Sequence, residues 1–373
     1  MCYRNTWTHL KQVAPSSTLY LDRVWPEIIV SIEVVDDYHD ILKNHLPVID
    51  VRSPDEYIKG AIPSAINLPI LNNDERQQVG TCYKNQGPSA AIELGQKLVE
   101  GGSRAKRVRD WASFAHSHEG ALLCCWRGGL RSRIAQEWLT EVGSPIPVVK
   151  GGSKALRRYC LEQIEASVNH RWLVLGGRTG SGKTRSLNQL SNAVDLEQLA
   201  NHRGSAFGGD IALQPPPISF ENAIAAALLS IDQNRPIVVE DESRTIGRLA
   251  VPDKLFKSMQ TAPLAILELP LERRVANIYN EYVANGIPSM FTNALTRIRK
   301  RLGGARYDEL LMLMEEGFNT GNKEPHLRWI ELLLTRYYDP MYDYQLEKKS
   351  ARIIFRGSAA AVDEYLSEQI NNG

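Results

Sequence analysis

The eight residues GRTGSGKT, Gly177 to Thr184, constrain this chain more than any other stretch. They satisfy the spacing G-x-x-x-x-G-K-[ST] and stand between RWLVLGG, which reads as a strand, and TRSLNQLSNA, which reads as a helix; that context confirms the motif. The fold it demands is an α/β domain with a phosphate-binding loop. Gly177, Gly180 and Gly182, with Ser181 between them, let the backbone wrap an anion. Lys183 adds positive charge at the terminal phosphates, and Thr184 can ligate Mg²⁺. Further on, IVVEDESR places Glu240 and Asp241 at a strand end, where a Walker B carboxylate would lie. The loop alone does not specify a nucleotide. Its minimum ligand is a diphosphate, and no base-recognition element of an ordinary kinase or GTPase is visible.

One such domain does not account for 373 residues. At roughly 100 to 200 residues per domain the length suggests two. The 43% hydrophobic and 23% charged content is that of a soluble globular protein. A net charge of +1 gives no global field, so a polyanion would have to be held by local patches. Two patches are present, SRAKRVR at Ser103 to Arg109 and TRIRKRLGGAR at Thr296 to Arg306; a solvated helix face is the competing reading for each. Cys2, Cys82, Cys124, Cys125 and Cys160 have neither disulfide-framework nor zinc spacing, which points to a reducing cytosol. The first residues lack the apolar stretch of a signal peptide, and no window is long enough to span a bilayer. The expectation is a cytoplasmic protein without membrane contact.

From Pro47 onward, short β-branched runs alternate with amphipathic stretches. LPVIDV, AINLPI, ALLCCW and IPVVKG read as buried strands, SPDEYIKG as a short helix opening on Ser53, and RSRIAQEWLTEVG as a helix closing on Gly143. That alternation means a parallel sheet wrapped on both faces. The chain divides into an unassigned leader over 1–30, a first α/β domain over 31–158, a connecting helix over 159–170 within the stretch RRYCLEQIEASVNH, and the phosphate-loop domain over 171–373. In the second domain PIVVED and LAILELP are further strands. The last third is mostly helical by its apolar spacing, and ARIIF offers a late return to the sheet.

The segment CWRGGLRS raises a second chemical question. If Leu122 to Cys124 finish a strand and Ser132 begins a helix, residues 125–131 reverse the chain in a tight cradle. There the backbone amides of a loop through Gly128 and Gly129 point inward, the helix N-terminus adds partial positive charge, and Arg131 closes the rim. Such dipoles favour a thiolate, which makes Cys125 a nucleophile at neutral pH. Cys124 should point the other way, as a small buried strand residue. Cys125 and Arg131 also fit a phosphatase-type Cys-x5-Arg spacing, although Cys124 stands where a histidine typically precedes that cysteine.

VIDVRSPDEYIKGAIPSAINLP, CWRGGLRS and VVKGGSKALR together resemble a rhodanese domain. Its loop usually places the closing arginine one position sooner, so this one should hold a bulkier anion. The resemblance implies that Cys125 carries a chalcogen, as a persulfide or its selenium counterpart, with Arg127 and Arg131 binding the donor's oxyanion. Asp50 and Arg52 match a pair that braces the fold. Joined to the phosphate loop, and with the phrases NNDERQQVGTCYKNQG, DLEQLANHRGSAFGG and YYDPMYDYQ, the chain resembles the bacterial tRNA 2-selenouridine synthase family from about Val48 to Gln345. One departure is Ser153 in GGSKALR, where the family tends to have tyrosine.

The family resemblance implies a transferase acting on the wobble uridine (U34) in the anticodon stem-loop of tRNA. Geranyl diphosphate alkylates the 2-thio sulfur, and selenium from selenophosphate then displaces geranylthiol, with Cys125 taking selenium as a selenylsulfide. Both co-substrates are implied by resemblance, as is a partner enzyme supplying selenophosphate; no redox cofactor is called for. Further candidates around the diphosphate or the base are His202, Arg203, Glu240, Asp241, Ser243 and Arg244, against a competing reading of capping and ion pairing. Arg297, Arg299, Lys300 and Arg301 are the candidates for RNA phosphate contact. Cys82 is a candidate resolving thiol, and Tyr337, Tyr338, Tyr342 and Tyr344 are candidates for base stacking or for core packing. The rival enzyme is a sulfurtransferase fused to a small-molecule kinase. A third reading makes the first half an inactive binding module.

Overall fold

The computed structural model describes residues 33–202 and 213–372; the leader, with Cys2, and Arg203 lie outside the described residues. The first half contains β1 (Val34–Val35), α1 (Tyr38–Lys43), β2 (Val48–Asp50), α2 (Pro54–Tyr57), β3 (Ala65–Asn67), α3 (Asn73–Gln86), α4 (Pro88–Leu98), α5 (Gly102–Ser117), β4 (Leu122–Cys124), α6 (Leu130–Glu141), β5 (Val148–Val149) and α7 (Gly152–Ala166). Its five strands are parallel in the order β1-β5-β4-β2-β3. The central β2 and β4 are buried throughout, as their apolar runs require. β3, expected to be buried, is the half-exposed edge strand.

The second half runs β6 (Trp172–Gly177), α8 (Lys183–Leu187), β7 (Ala193–Val194), α9 (Leu196–Leu199), α10 (Pro217–Ser230), β8 (Ile237–Glu240), the hairpin β9 (Thr245–Ile246) and β10 (Leu249–Ala250), α11 (Asp253–Thr261), and β11 (Leu264–Leu267). Then come α12 (Leu271–Ile278), α13 (Pro288–Leu302), α14 (Gly304–Thr320), α15 (Lys323–Leu333), α16 (Asp339–Lys348), β12 (Ile353–Gly357) and α17 (Ala359–Asn372). The sheet is parallel in the order β12-β11-β6-β8-β7, so ARIIF does return to it, at one edge. β6 is central, and successive crossovers leave it toward opposite edges. That switch point, at the carboxyl ends of the strands, is where an open α/β sheet forms a ligand crevice.

Two expected boundaries move. The helix after the phosphate loop ends at Leu187 rather than running through TRSLNQLSNA. Asn192 instead spends its side-chain amide on the carbonyls of Asp232 and Pro236, each at 3.0 Å, and the chain straightens into β7. The connecting helix starts at Gly152, so the segment 159–170 is no separate linker. α7 packs on α10, and Leu156, Cys160 and Ile164 join Phe220, Ile224 and Leu228 in one hydrophobic cluster spanning both halves. Polar contacts reinforce the join: Ser219 accepts from the Ala61 amide at 3.1 Å, Asn222 donates to the Ala61 carbonyl at 3.1 Å, and Arg157 pairs with Glu221. The helical last third has its own core around Leu295, Met314, Trp329 and Leu334.

Candidate active site at two anion loops

The cysteine loop is shaped by the glycines that end the first sheet. Gly128 has φ +60°, and a β-carbon there would sit 2.6 Å from the Val149 carbonyl oxygen. Gly152 has φ +59°, and a β-carbon there would overlap the carbonyl oxygen of Cys125. The start of α7 thus lies flat against the loop. Its Ser153 and Lys154 amides donate to the Cys125 and Trp126 carbonyls at 2.9 and 3.0 Å, which directs those carbonyls away from the loop interior. α6 begins at Leu130, two residues before Ser132, with Gly129 as its N-cap.

Alternation along the strand end separates the two thiols. Cys125 packs with Leu123, Ala135 and Trp111 on one face of the sheet, and its Sγ lies 3.3 Å from Ser132 Oγ. Ser132 Oγ is also 3.0 Å from the Gly129 carbonyl, so its proton can turn to the sulfur when that sulfur becomes anionic. Ser132 was invisible as a functional group in the sequence; the signal available was its position directly after Arg131. Cys124 belongs to the cluster shared by both halves, as expected. Its Sγ is 3.4 Å from Ser153 Oγ, and burial, followed by the charge of Asp50, pushes its thiol well up. Ser153, the departure from the family pattern, also bonds Asp50 at 3.2 Å.

Cys124, Trp126 and Ser153 line a cavity of about 440 Å³ that α10 closes from the other half through Ile218 and Asn222. Asp50 and Arg52 in its wall form a buried ion pair of 2.6 Å, and Arg52 also donates to the Gly60 carbonyl at 2.9 Å. They brace the fold, as their resemblance implied.

The loop arginines are placed differently from one another. Arg127 and Trp126 are exposed. Arg131 does not close the rim over the thiol; its guanidinium pairs with Glu56. Burial works against a charged Glu56, but the hydrogen bond and charge of Arg131, with help from Ser53 and Arg76, outweigh it and hold that carboxyl at about 2. Glu56 is N3 of α2 in a capping box opened by Ser53, so the opening signature of the domain anchors the arginine of its active loop. Sequence reasoning treated SPDE only as a helix start. Cys82 lies in α3 and lines neither cavity that touches the cysteine loop.

The phosphate loop follows β6 as expected. Gly180 and Gly182 have φ of +80° and +91°. Lys183 Nζ donates to the Gly177 carbonyl at 3.0 Å, and the buried Ser181 Oγ has no hydrogen-bond partner among the described residues. A buried unsatisfied hydroxyl inside a ring of amides fits an anion that would accept from it. The helical third braces this loop from outside. Arg274, 2% exposed, forms a two-pronged ion pair with Asp339 at 2.7 and 2.8 Å and reaches the Thr179 carbonyl at 3.3 Å. Asn277 donates to the Gly180 carbonyl at 3.0 Å, and Arg178 pairs with Asp343 at 2.8 Å. YYDPMYDYQ is therefore a brace for the phosphate loop. Tyr337 is core, while Tyr344 is exposed beneath Lys348.

The carboxylates near this loop differ from those expected. Asp241 is tied to Lys349 Nζ at 2.6 Å. Glu240 is 1% exposed and accepts from the Glu197 amide at 2.7 Å, and burial, followed by the charge of Asp195, pushes its carboxyl well up. Neither is a free Walker B carboxylate. Ser243 closes its own turn on the Thr245 carbonyl at 2.6 Å, and Arg244 pairs with Asp253, so the capping and ion-pair reading holds for both. His202 donates its amide to the Glu197 carbonyl at 3.0 Å.

The groups the sequence reading passed over are Glu197 and Glu242. Burial, then the charge and hydrogen bond of Glu242, push the Glu197 carboxyl up to about 8 against the opposing pull of Lys183. Below about pH 8 this carboxyl is neutral; above it a negative charge appears beside Lys183. Diphosphate affinity should therefore fall as pH rises through about 8 in the native protein, and Glu197→Gln should flatten that dependence. Calorimetric titration of inorganic diphosphate at pH 7 and pH 9 measures both, the variant serving as reference for the ligand's own ionisation. An identical pH slope in the two proteins would count against the assignment.

The basic patches separate cleanly. In α5, Arg104 pairs with Glu141, Lys106 with Asp110 at 2.7 Å and Arg107 with Glu75 at 2.7 Å, so that patch is largely consumed by structure. In α13, Leu295, Ile298 and Leu302 are buried while Arg297, Arg299, Lys300 and Arg301 are exposed, and Arg299 lies over the Tyr307 ring. Among the described residues no helix is long and apolar enough to cross a membrane.

Comparison with known proteins places both loops in a shared context. The family model described as the tRNA 2-selenouridine synthase AAA domain matches residues 170–373, and the one described as the rhodanese-like domain matches residues 34–158. The chain is 46% identical over 353 residues to a tRNA 2-selenouridine synthase from Marinobacter nauticus, covering 88% of this chain and 96% of that protein. It is 44% identical to proteins of the same name from Shewanella sediminis, over 90% of this chain and 97% of that one, and from Sulfurovum sp., over 89% and 97%.

Proposed function

Since the chain belongs to the tRNA 2-selenouridine synthase family, we propose that it converts wobble 2-thiouridine (U34) of tRNA to 2-selenouridine in two steps at its two loops. In the first, the thiocarbonyl sulfur attacks the allylic carbon of geranyl diphosphate. A C–S bond forms, the C–O bond breaks, and diphosphate leaves. In the second, selenium from selenophosphate adds at C2 of the base, the C–S bond breaks, geranylthiol leaves with a proton, and the phosphoryl group ends on water. The order is chemically sensible, because a thiocarbonyl sulfur becomes a leaving group only after alkylation.

The observation that carries this reading is one hydrophobic core joining the half that bears the cysteine loop to the half that bears the phosphate loop. At the phosphate loop, Lys183, the Ser181 hydroxyl and the amides through Thr184 oppose the charge that grows on the departing diphosphate. Among the described residues no cluster of three or more His, Cys, Asp or Glu could hold a metal ion. Mg²⁺ is commonly held through one or two carboxylates together with substrate phosphates. Thr184 would be its protein ligand, and the ion would supply further positive charge to the leaving group. At the cysteine loop, the Cys125 thiolate takes the phosphoryl group from selenophosphate, an S–P bond forming as the P–Se bond breaks, so that selenium leaves as hydrogen selenide to add at C2 and water then frees the cysteine; Ser132 faces its sulfur, and Arg127 is the exposed cation at the mouth for the selenophosphate oxyanion. The exposed cations of α13 supply RNA phosphate contact, with the salt dependence that such contact entails. A tRNA substrate sets the working compartment as the cytoplasm.

The test mixes the protein with a 2-thiouridine anticodon stem-loop and geranyl diphosphate, without ATP, and follows RNA mass. The expected result is a gain of one geranyl group. No gain, with steady hydrolysis of ATP when it is supplied, would favour a sulfurtransferase fused to a small-molecule kinase.

A further inference from the structure

Beside the cysteine loop lies a groove of about 170 Å³ that the two chemical steps do not use. One wall is the outer stripe of α6, Leu130, Ile134 and Trp138, spaced four residues apart so that they share a face. The other wall is the hairpin of α3 and α4, with Val79, Ile92 and Gly95 turned toward it. Arg131, paired with Glu56, lies at its cysteine-loop end, so the apolar trough ends at that loop. Leu130 is 49% exposed at that end. Single exposed apolar residues need no explanation, but a contiguous apolar trough that ends at a reactive loop has the shape of a site for an apolar chain.

We infer that this groove receives the ten-carbon isoprenyl chain of the S-geranyl nucleoside during the second step, with the sulfur end at the Cys125 loop and the chain running along α6 toward Trp138. The inference rests on the two-step reading and adds to it the place where the leaving group is held. Three observations support this occupant. A dry apolar cavity of about 150 Å³ takes up a benzene-sized ligand, so a trough of about 170 Å³ takes roughly six or seven carbons of the chain and leaves the rest along its open side. Ile70, Leu71 and Val99 of the groove wall pack in the same hydrophobic cluster as Cys125. The position of the groove is continuous with the loop where the C–S bond must break. Burying the chain here also separates geranylthiol from the RNA once it has left.

Gly95 provides the test. A β-carbon there would meet Val79 Cγ2 at 3.6 Å, an ordinary contact, so Gly95→Leu should fill the groove without straining α4. The probes are two stem-loops made chemically, one carrying S-geranyl-2-thiouridine and one S-methyl-2-thiouridine, each given selenophosphate. Native protein should prefer the S-geranyl substrate in kcat/KM. Gly95→Leu should reduce that preference by at least about tenfold, the scale on which a hydrophobic pocket discriminates by one or two methylenes. Its thermal midpoint should match that of the native protein. In a second measurement, S-geranyl-2-thiouridine nucleoside should change the tryptophan fluorescence of native protein, and Trp138→Phe should remove most of that change. An unaltered substrate preference in Gly95→Leu, or equal loss on both substrates, would overturn the groove assignment while leaving the two-step reading in place. Native protein inert toward the S-geranyl stem-loop would overturn the two-step reading, and the occupant with it.

Discussion

Cys125→Ala should reduce selenation of a 2-thiouridine stem-loop to background while its geranylation by geranyl diphosphate stays within about twofold of native. The sulfur of Cys125 has Ser132 Oγ at 3.3 Å and the N-terminus of α6 beside it, and the phosphate loop lies on a different sheet. Removing a nucleophile that acts in a unit typically abolishes its step rather than weakening it. Alanine leaves no steric conflict at a buried loop start, so the fold should persist. Cys124→Ala is the control: it trims a buried strand residue and should retain selenium transfer. Mass analysis of the stem-loop nucleosides reports both steps from one reaction. Loss of both steps in Cys125→Ala would mean that the cysteine loop also serves alkylation.

Lys183→Ala should have the opposite signature, a loss of about 10²–10³ in the rate of geranylation, or about 2.7–4 kcal/mol, as expected when a preorganised group facing developing anionic charge is removed. Lys183 now donates to the Gly177 carbonyl at 3.0 Å, a contact it can exchange for a phosphate oxygen without moving the backbone. Selenation should be judged separately, with a stem-loop already carrying the S-geranyl group. On that substrate Lys183→Ala should act at near-native rate, since no diphosphate is involved. If selenation of the alkylated substrate fell as steeply as alkylation itself, the phosphate loop would have to be involved in both steps.

Much of this architecture is legible in the residues because each loop declares itself by local backbone demand. G-x-x-x-x-G-K-T stands between a buried strand and a helix, and its second glycine, Gly182, together with Gly180 inside the loop, sits at positive φ. Likewise CWRGGLRS and VVKGGSK are complementary because Gly128 and Gly152 must let two backbones touch. What the sequence concealed depends on long-range pairing. Arg131 looks like a rim residue until Glu56, far upstream, is seen to hold it. Asp241 looks like a metal carboxylate until Lys349 arrives from the end of α16. Glu197 has no spacing signature, and its character comes from burial and from the neighbouring Glu242. α3 was hidden for a different reason: among its fourteen residues only Cys82 is buried, so it lacks an apolar stripe, although Asn72 and Glu75 form a capping box at its start.

The account stands most directly on the dependence of selenium incorporation upon prior alkylation. Native protein, a 2-thiouridine stem-loop and selenophosphate are combined with and without geranyl diphosphate, and the RNA nucleosides and free geranylthiol are quantified together. The account predicts no selenium in the RNA when geranyl diphosphate is omitted, and one geranylthiol released for each selenium gained when it is present. Selenium entering the RNA at an equal rate without geranyl diphosphate would contradict it.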